Sequence, residues 1–476
     1  MRARRIVAGV AAAAAVGLAA AGCGSSGAAS SSLGGAASVA PSNAVAFVAL
    51  DSDLSSGQWD AVDGLLQKFP AHDQLLAHLR TSFEQHAKLN WANDVKPALG
   101  SELDLVALPG KQPQLVGLTQ GGDQAKLDAL LRKLDKGIVS ARIAGWTAFS
   151  SSQEALDAVT SATTKLSDNN TYRAAVAKLA GDALVRAYAN RAEAQQLLAS
   201  LGKQAPAAAT PPIAWASAEI VVAGDGVRVN GYSRDGSTVG VAPRFRRTPP
   251  APYTSNLVDE IPSGVLLVAD FPVTPGQFQF SDTGAMPAPL KKFLGLSPTF
   301  LAELDDVLGG ETAVYVRPGL PIPEVTIVTQ PSDTALAERS LADVLKTLRQ
   351  SIGQSGGFSG GFNPAGIPIV HEVVGGQLII STSQQGIADF RSAGPKLASD
   401  PSFTAALQTS EMPAQTTGFL YVNLARSLPL VQAFAPLLGL KLPAGATTDV
   451  SALKTLTAYG TRVGEEATFT AVLEVR

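Results

Sequence analysis

The sequence predicts an α+β fold of two similar repeats, each an antiparallel or mixed β-sheet with helices packed on one face. The observations behind this are apolar runs that read as strands, leucines at three- and four-residue spacing that read as amphipathic helices, and one order of elements in both halves.

Residues 1–22 read as an export signal. Arg2, Arg4 and Arg5 precede an apolar stretch from Ile6 to Ala21 that ends in small residues. The stretch is broken by glycine and is shorter than the roughly 20 apolar residues of a spanning helix, so cleavage is expected. Ala20-Ala21-Gly22-Cys23 resembles the lipobox of bacterial lipoproteins, with Ala20 where leucine is commonest and Leu18 two places upstream. The resemblance implies that Cys23 carries a diacylglyceryl group with acyl chains such as palmitate, placing the chain on the extracytoplasmic face of the cell membrane. Two acyl chains anchor a protein stably, whereas one binds marginally at about 0.8 kcal/mol per buried methylene.

Residues 23–40 then read as the lipidated cysteine followed by a flexible Gly/Ser/Ala tether, since little in them can pack. The first repeat is expected over 41–240, a proline-rich linker over 241–254 and the second repeat over 255–476. Cys23 is the only cysteine, so the folded part has no disulfide and its stability must come from its cores. With 476 residues, 46% of them hydrophobic, and a mean hydropathy of +0.15, the chain can bury two cores of domain size. A net charge of −3 gives no field to gather nucleic acid. Arg244, Arg246 and Arg247 sit beside prolines in the linker, a run too short for a polybasic lipid or nucleic-acid site.

Each repeat opens with a proline-serine turn and an apolar strand: Pro41-Ser42 leads to Asp51, and Pro262-Ser263 to Asp270. Leu99-Gly100-Ser101-Glu102 and Leu308-Gly309-Gly310-Glu311 each precede a hairpin whose second strand is PQLVGLTQ or PEVTIVTQ. Helices follow, with Leu127, Leu130, Leu131 and Leu134 on one stripe and Leu336, Leu341, Leu345 and Leu348 on the other. Ser151 with Glu154, and Thr382 with Gln385, have capping-box spacing, and Asp168 and Asp400 are expected N-caps. A further strand and helix lead to closing hairpins that turn at Gly224-Asp225-Gly226 and Gly464-Glu465-Glu466.

PSNAVAFVALD, SDNNTYRAAVAKL or SDPSFTAALQ, and LVRAYAN or FLYVNLAR carry a second resemblance. They resemble a family of exported bacterial proteins catalogued as a domain of unknown function, across nearly the whole mature chain. That likeness implies an envelope location and supplies no catalytic residue.

Candidate chemistry is sparse. Gly357-Phe358-Ser359-Gly360-Gly361 fits G-x-S-x-G but lies in a glycine-rich run without the strand and helix that strain a nucleophile elbow. His72, His78 and His86 are six and eight residues apart, spacings that do not assemble a compact ligand set, and His371-Glu372 is a single pair. No catalytic residue, metal or cofactor is expected. Apolar candidates for ligand binding are Phe293, Leu294 and Leu296, with Lys291 and Lys292 beside them, and Leu430, Phe434, Leu437 and Leu438. The first reading of function is a noncatalytic binding or assembly module that engages an envelope protein or cell-wall component. A carrier of lipid or another hydrophobic ligand ranks second and a hydrolase third.

Overall fold

The computed structural model describes residues 33–70, 89–110, 114–120, 122–135, 137–190, 213–236, 249–274, 298–319, 323–354, 368–434 and 450–476, with isolated positions between 72 and 85. The chain divides into two compact units. Unit 1 comprises Met1–Ala205, Pro212–Ser237 and Glu465–Thr468, and unit 2 comprises Pro206–Pro211, Thr238–Gly464 and Phe469–Arg476. The architecture is α+β with antiparallel strand pairing.

In unit 1 the strands are β1 (Ala46–Asp51), β2 (Glu102–Leu108), β3 (Gln114–Gln120), β4 (Val139–Ile143), β5 (Trp146–Ser150), β6 (Val185–Asn190), β7 (Ile213–Ala223) and β8 (Gly226–Asp235). Their spatial order is β8-β7-β6-β1-β2-β3-β5-β4. Helix α1 (Gly57–Leu66) begins at Ser56 and docks through Trp59, whose indole N–H donates to the Asp51 carbonyl at 2.9 Å. The Gln58 amide accepts from the Val222 N–H at 2.9 Å and donates to its carbonyl at 3.4 Å, completing the backbone bonding of β7 beyond the reach of β6. Helix α2 (Gln124–Leu134) starts at Asp123, which accepts from Ala125 N and Lys126 N, and ends with Arg132 and Lys133 where the helix dipole favours cations. Helices α3 (Gln153–Ser161) and α4 (Asn170–Val176) complete the unit.

Unit 2 has β9 (Leu267–Val273), β10 (Gly310–Arg317), β11 (Glu324–Thr329), β12 (Val370–Val374), β13 (Gln377–Ser381), β14 (Gly418–Val422) and β15 (Leu453–Val463), in the order β12-β13-β11-β10-β9-β14-β15. Strand β16 (Glu466–Val475) lies beside β15. The helices are α5 (Pro298–Val307), α6 (Thr334–Gln354), α7 (Gln384–Arg391), α8 (Pro401–Ser410) and α9 (Leu424–Phe434). Gly375 and Gly376, at φ 60° and 86°, make the two-residue turn between β12 and β13, the left-handed pair that a tight hairpin needs.

Helices cover both faces of the strands, which corrects the expectation of a single covered face. In unit 1, Phe47, Val106, Leu118 and Ala148 pack with Leu156 and Tyr172 from α3 and α4, while Leu103 and Phe149 pack with Leu127, Leu130 and Leu131 of α2. In unit 2, Tyr315, Val328 and Ile379 meet Ile387 and Phe403, whereas Leu378 and Ile380 meet Leu341 and Val344 of α6. The cause is local: WTAFS and QLIIS carry consecutive apolar or small residues, so neighbouring positions on opposite faces are both buried.

The folded part begins earlier than the sequence suggests. Gly35–Ser38 form a 3-10 turn, and Leu33, Ala36, Ala37, Val39 and Ala40 are buried in the core, so the tether expected over 23–40 is corrected for 33–40. At the other expected linker, Tyr253 exchanges backbone bonds with Thr416 at 2.9 and 3.0 Å, which ties 253 into unit 2. Residues 241–248 lie outside the described residues.

The helix starts shift by one position. Ser152 accepts from Ala155 N and Ser383 from Gly386 N, rather than Ser151 and Thr382. Asp400 caps α8 as expected, but α4 is capped by Asn169, with Asp168 inside a preceding 3-10 turn. Asp51 and Asp270 also hold different places: Asp51 opposes Glu102, whereas Glu311 opposes Pro272 and Asp270 opposes Ala313.

Candidate functional site

Unit 1 holds a cavity of about 300 Å3 between the Leu33–Ser38 segment, β1, β6 and α4. The segment forms its rim because three side chains hold it. Glu102 Oε1 accepts from Gly34 N–H at 2.7 Å, Arg186 Nη1 donates to the Leu33 carbonyl at 2.7 Å, and Lys165 Nζ donates to the Val39 carbonyl at 3.4 Å. Gly34 sits at φ 103° and a Cβ there would lie 3.2 Å from the Tyr172 hydroxyl, so backbone geometry and space both call for glycine. Asn169 sets the angle of α4 by accepting from Thr171 N and Tyr172 N while its amide donates to the Ser42 carbonyl at 3.0 Å.

Three aromatic rings form the inner wall. Phe47 meets Tyr172 edge to face at 5.8 Å, and Tyr172 meets Tyr188 at 5.1 Å and 89°. Val176 and Leu179 extend the apolar lining, and Arg173 and Arg186 supply its cations. Arg186 Nη2 also donates to the Ala180 carbonyl, while its Nε–H has no hydrogen-bond partner among the described residues. Burial, then the charges of Asp104 and Glu102, push the Tyr172 hydroxyl above its usual range, so it is a neutral donor at physiological pH.

Behind the rim lies an acid pair. Asp104 is buried beside Glu102 and the Ala36 backbone. Desolvation, followed by Glu102, pushes its carboxyl well above the usual range, which favours the neutral form.

Unit 2 has an acid pair that is well supplied with donors. The Tyr253 hydroxyl donates to Asp270, the one Ser255 hydroxyl hydrogen is shared between Asp270 and Glu311, and Glu311 also accepts from Asn256 N and Leu257 N at 2.9 and 3.0 Å. Asp270 is nevertheless pushed up by burial. These contacts fix the 3-10 turn Leu257–Asp259 and explain the pair as part of the framework.

Asp51 likewise caps structure. It accepts from Ser56 Oγ and Asp53 N, and burial pushes its carboxyl up to about 6. An acid whose folded value exceeds its unfolded value stabilises the fold at low pH and loses that contribution as pH rises from about 4 through about 6. Asp51→Asn is expected to flatten the fall in thermal midpoint between pH 4 and pH 7. An undiminished fall, measured by calorimetry, would assign the pH dependence to other groups.

The sequence candidates fare differently. Cys23, Phe293, Leu294, Leu296, Leu437, Leu438, Ser359, His78 and His86 lie outside the described residues, and so does the side chain of Phe434. Leu430 is half-buried on α9. His72 Nε2 lies 3.1 Å from its neighbour Asp73, and His371 is exposed on β12 opposite Ile380. Among the described residues no three His, Cys, Asp or Glu side chains group to hold a metal, and no helix is long and apolar enough to cross a membrane. Phe47, Tyr172, Arg186 and Tyr188 were not singled out as binding residues by sequence, although they sit inside PSNAVAFVALD, SDNNTYRAAVAKL and LVRAYAN. The signal for them is Arg186, a cation in an otherwise apolar strand.

No family model and no curated protein matches the chain. Among solved structures, crystal form IV of TP0453 is 7% identical and aligns over 41% of this chain and 79% of its own, at a TM-score of 0.24. Crystal form III of TP0453 is also 7% identical, over 42% and 79%, at 0.22. Crystal form I is 9% identical, over 76% and 97%, at 0.13. Likeness at this level carries no argument about the present chain.

Proposed function

We propose that this chain is a noncatalytic binding module of the cell envelope, anchored outside the cytoplasm through a diacylated Cys23, that takes a ligand in the unit 1 cavity. The carrying observation is that cavity: aromatic faces and guanidinium groups converge there, chemistry that holds a molecule. Its volume is at the lower end of the roughly 300 to 1,000 Å3 typical of ligand pockets. A carrier of a small hydrophobic ligand is the second reading, favoured by the apolar wall of Phe47, Val176 and Leu179.

The two units are read here as copies of one ancestral α+β unit. Support comes from matched bonds: Leu166 N to Ala40 O and Leu397 N to Ile261 O, each 2.8 Å, and Asn190 N to Val45 O and Asn423 N to Leu266 O, at 2.9 and 2.8 Å. Glu102 and Glu311 further agree in holding the backbone N–H groups that lead into a 3-10 turn. On that reading Arg186 stands where unit 2 has Phe419, since they oppose Ala49 and Asp270 in the matching strand pairs.

Native mass spectrometry with solvent extraction tests the binding role on protein purified from membranes. A small molecule is expected to accompany the wild type and to be lost from Val176→Trp, which fills the cavity. Identical ligand-free masses, unchanged after incubation with envelope lipids, would count against it.

A further inference from the structure

We propose that the unit 1 cavity selects a single-chain anionic amphiphile, a carboxylate with a short apolar tail, its head at Arg173 and Arg186 and its tail against the aromatic wall. This rests on the reading of the cavity as a ligand site and adds the class of ligand.

Charge argues for an anion. Two guanidinium groups and no carboxylate are among the residues that line the cavity. Arg186 spends one donor each of Nη1 and Nη2 on the Leu33 and Ala180 carbonyls, and its Nε–H is buried, so the second hydrogens of Nη1 and Nη2 are its donors toward a ligand. Arg173 is exposed at the mouth, its guanidinium donating through Nη2 to the Asn170 side chain. A guanidinium presents five donors in a fixed fork that suits a carboxylate. The acid pair behind Gly34 opposes this attraction, but burial favours the neutral form of Asp104, and the Glu102 carboxylate is turned to the Gly34 N–H.

Size and wall chemistry argue for one short chain. A volume of about 300 Å3 admits a fragment-sized molecule and no two-chain lipid. The Phe47, Tyr172 and Tyr188 rings, with Val176 and Leu179, line the same cavity as the guanidinium groups and offer apolar contact there. A charged head and an apolar tail therefore both find partners within one cavity, a combination that an uncharged or cationic amphiphile would not match.

The test is isothermal titration calorimetry on the full chain carrying Cys23→Ser, with octanoate, 1-octanol and octylamine as probes. Octanoate is expected to bind at least tenfold more tightly than either other probe. Arg173→Glu should weaken octanoate about tenfold and leave 1-octanol unchanged, and Val176→Trp should abolish octanoate binding. Binding of 1-octanol or octylamine as tight as that of octanoate, lost in Val176→Trp, overturns the anionic class and leaves the ligand site standing. Binding of none of the probes, or octanoate binding unaffected by Val176→Trp, overturns both.

Discussion

Glu311→Ala is expected to lower the unfolding free energy by about 2–5 kcal/mol, through two buried or half-buried backbone donors left without an acceptor at roughly 1–3 kcal/mol each. Glu311 Oε1 accepts from Asn256 N at 2.9 Å and Leu257 N at 3.0 Å, and Leu257 is fully buried, so water cannot replace the carboxylate there. Loss of the repulsion between Glu311 and Asp270 returns part of the cost. Glu311→Gln keeps an acceptor oxygen and is expected to retain most of the stability. Urea unfolding at constant m-value measures both variants. A loss under about 1 kcal/mol in Glu311→Ala would mean that the turn Leu257–Asp259 holds without this carboxylate.

The elements were legible in sequence wherever periodicity carried them. Leu127, Leu130 and Leu131 fall on one stripe and are buried together, and the alternation of β1 places Phe47 and Ala49 in one core. The segment 33–40 was not legible, because composition treats Ala36, Ala37 and Ala40 as filler. Small side chains are what a backbone needs to lie close against a sheet, and these residues are fully or almost fully buried. The cap falls on Ser152 rather than Ser151 because adjacent serines both offer a hydroxyl, and Ser152, with extended backbone, is the one that accepts from Ala155 N.

The site was less legible for a different reason. Arg186, Phe47 and Tyr172 are separated in sequence, and what brings them together is the pairing of β1 with β6 and the docking of α4. A one-residue slip of that register would move Arg186 and Tyr188 to the opposite face. Long apolar runs are the usual sequence mark of a ligand lining, whereas this cavity is built from aromatics and cations carried on separate elements.

The proposed anchoring carries the largest functional effect expected of one substitution. Each buried methylene contributes about 0.8 kcal/mol, so two acyl chains hold a protein stably where one does not. On the proposed anchoring, Cys23→Ser removes the acceptor of the diacylglyceryl group while changing a single side-chain atom. The substituted chain is expected in the aqueous fraction with the melting temperature of the wild type, and with no incorporation of labelled palmitate.

The most direct measurement is the intact mass of wild-type protein extracted from membranes, with the cells fractionated alongside Cys23→Ser. The expected result is a chain released only by detergent, beginning at a Cys23 that bears a diacylglyceryl group, and a serine variant found in solution. Wild-type protein recovered in the aqueous fraction with an unmodified Cys23 would contradict the proposal of an anchored envelope module.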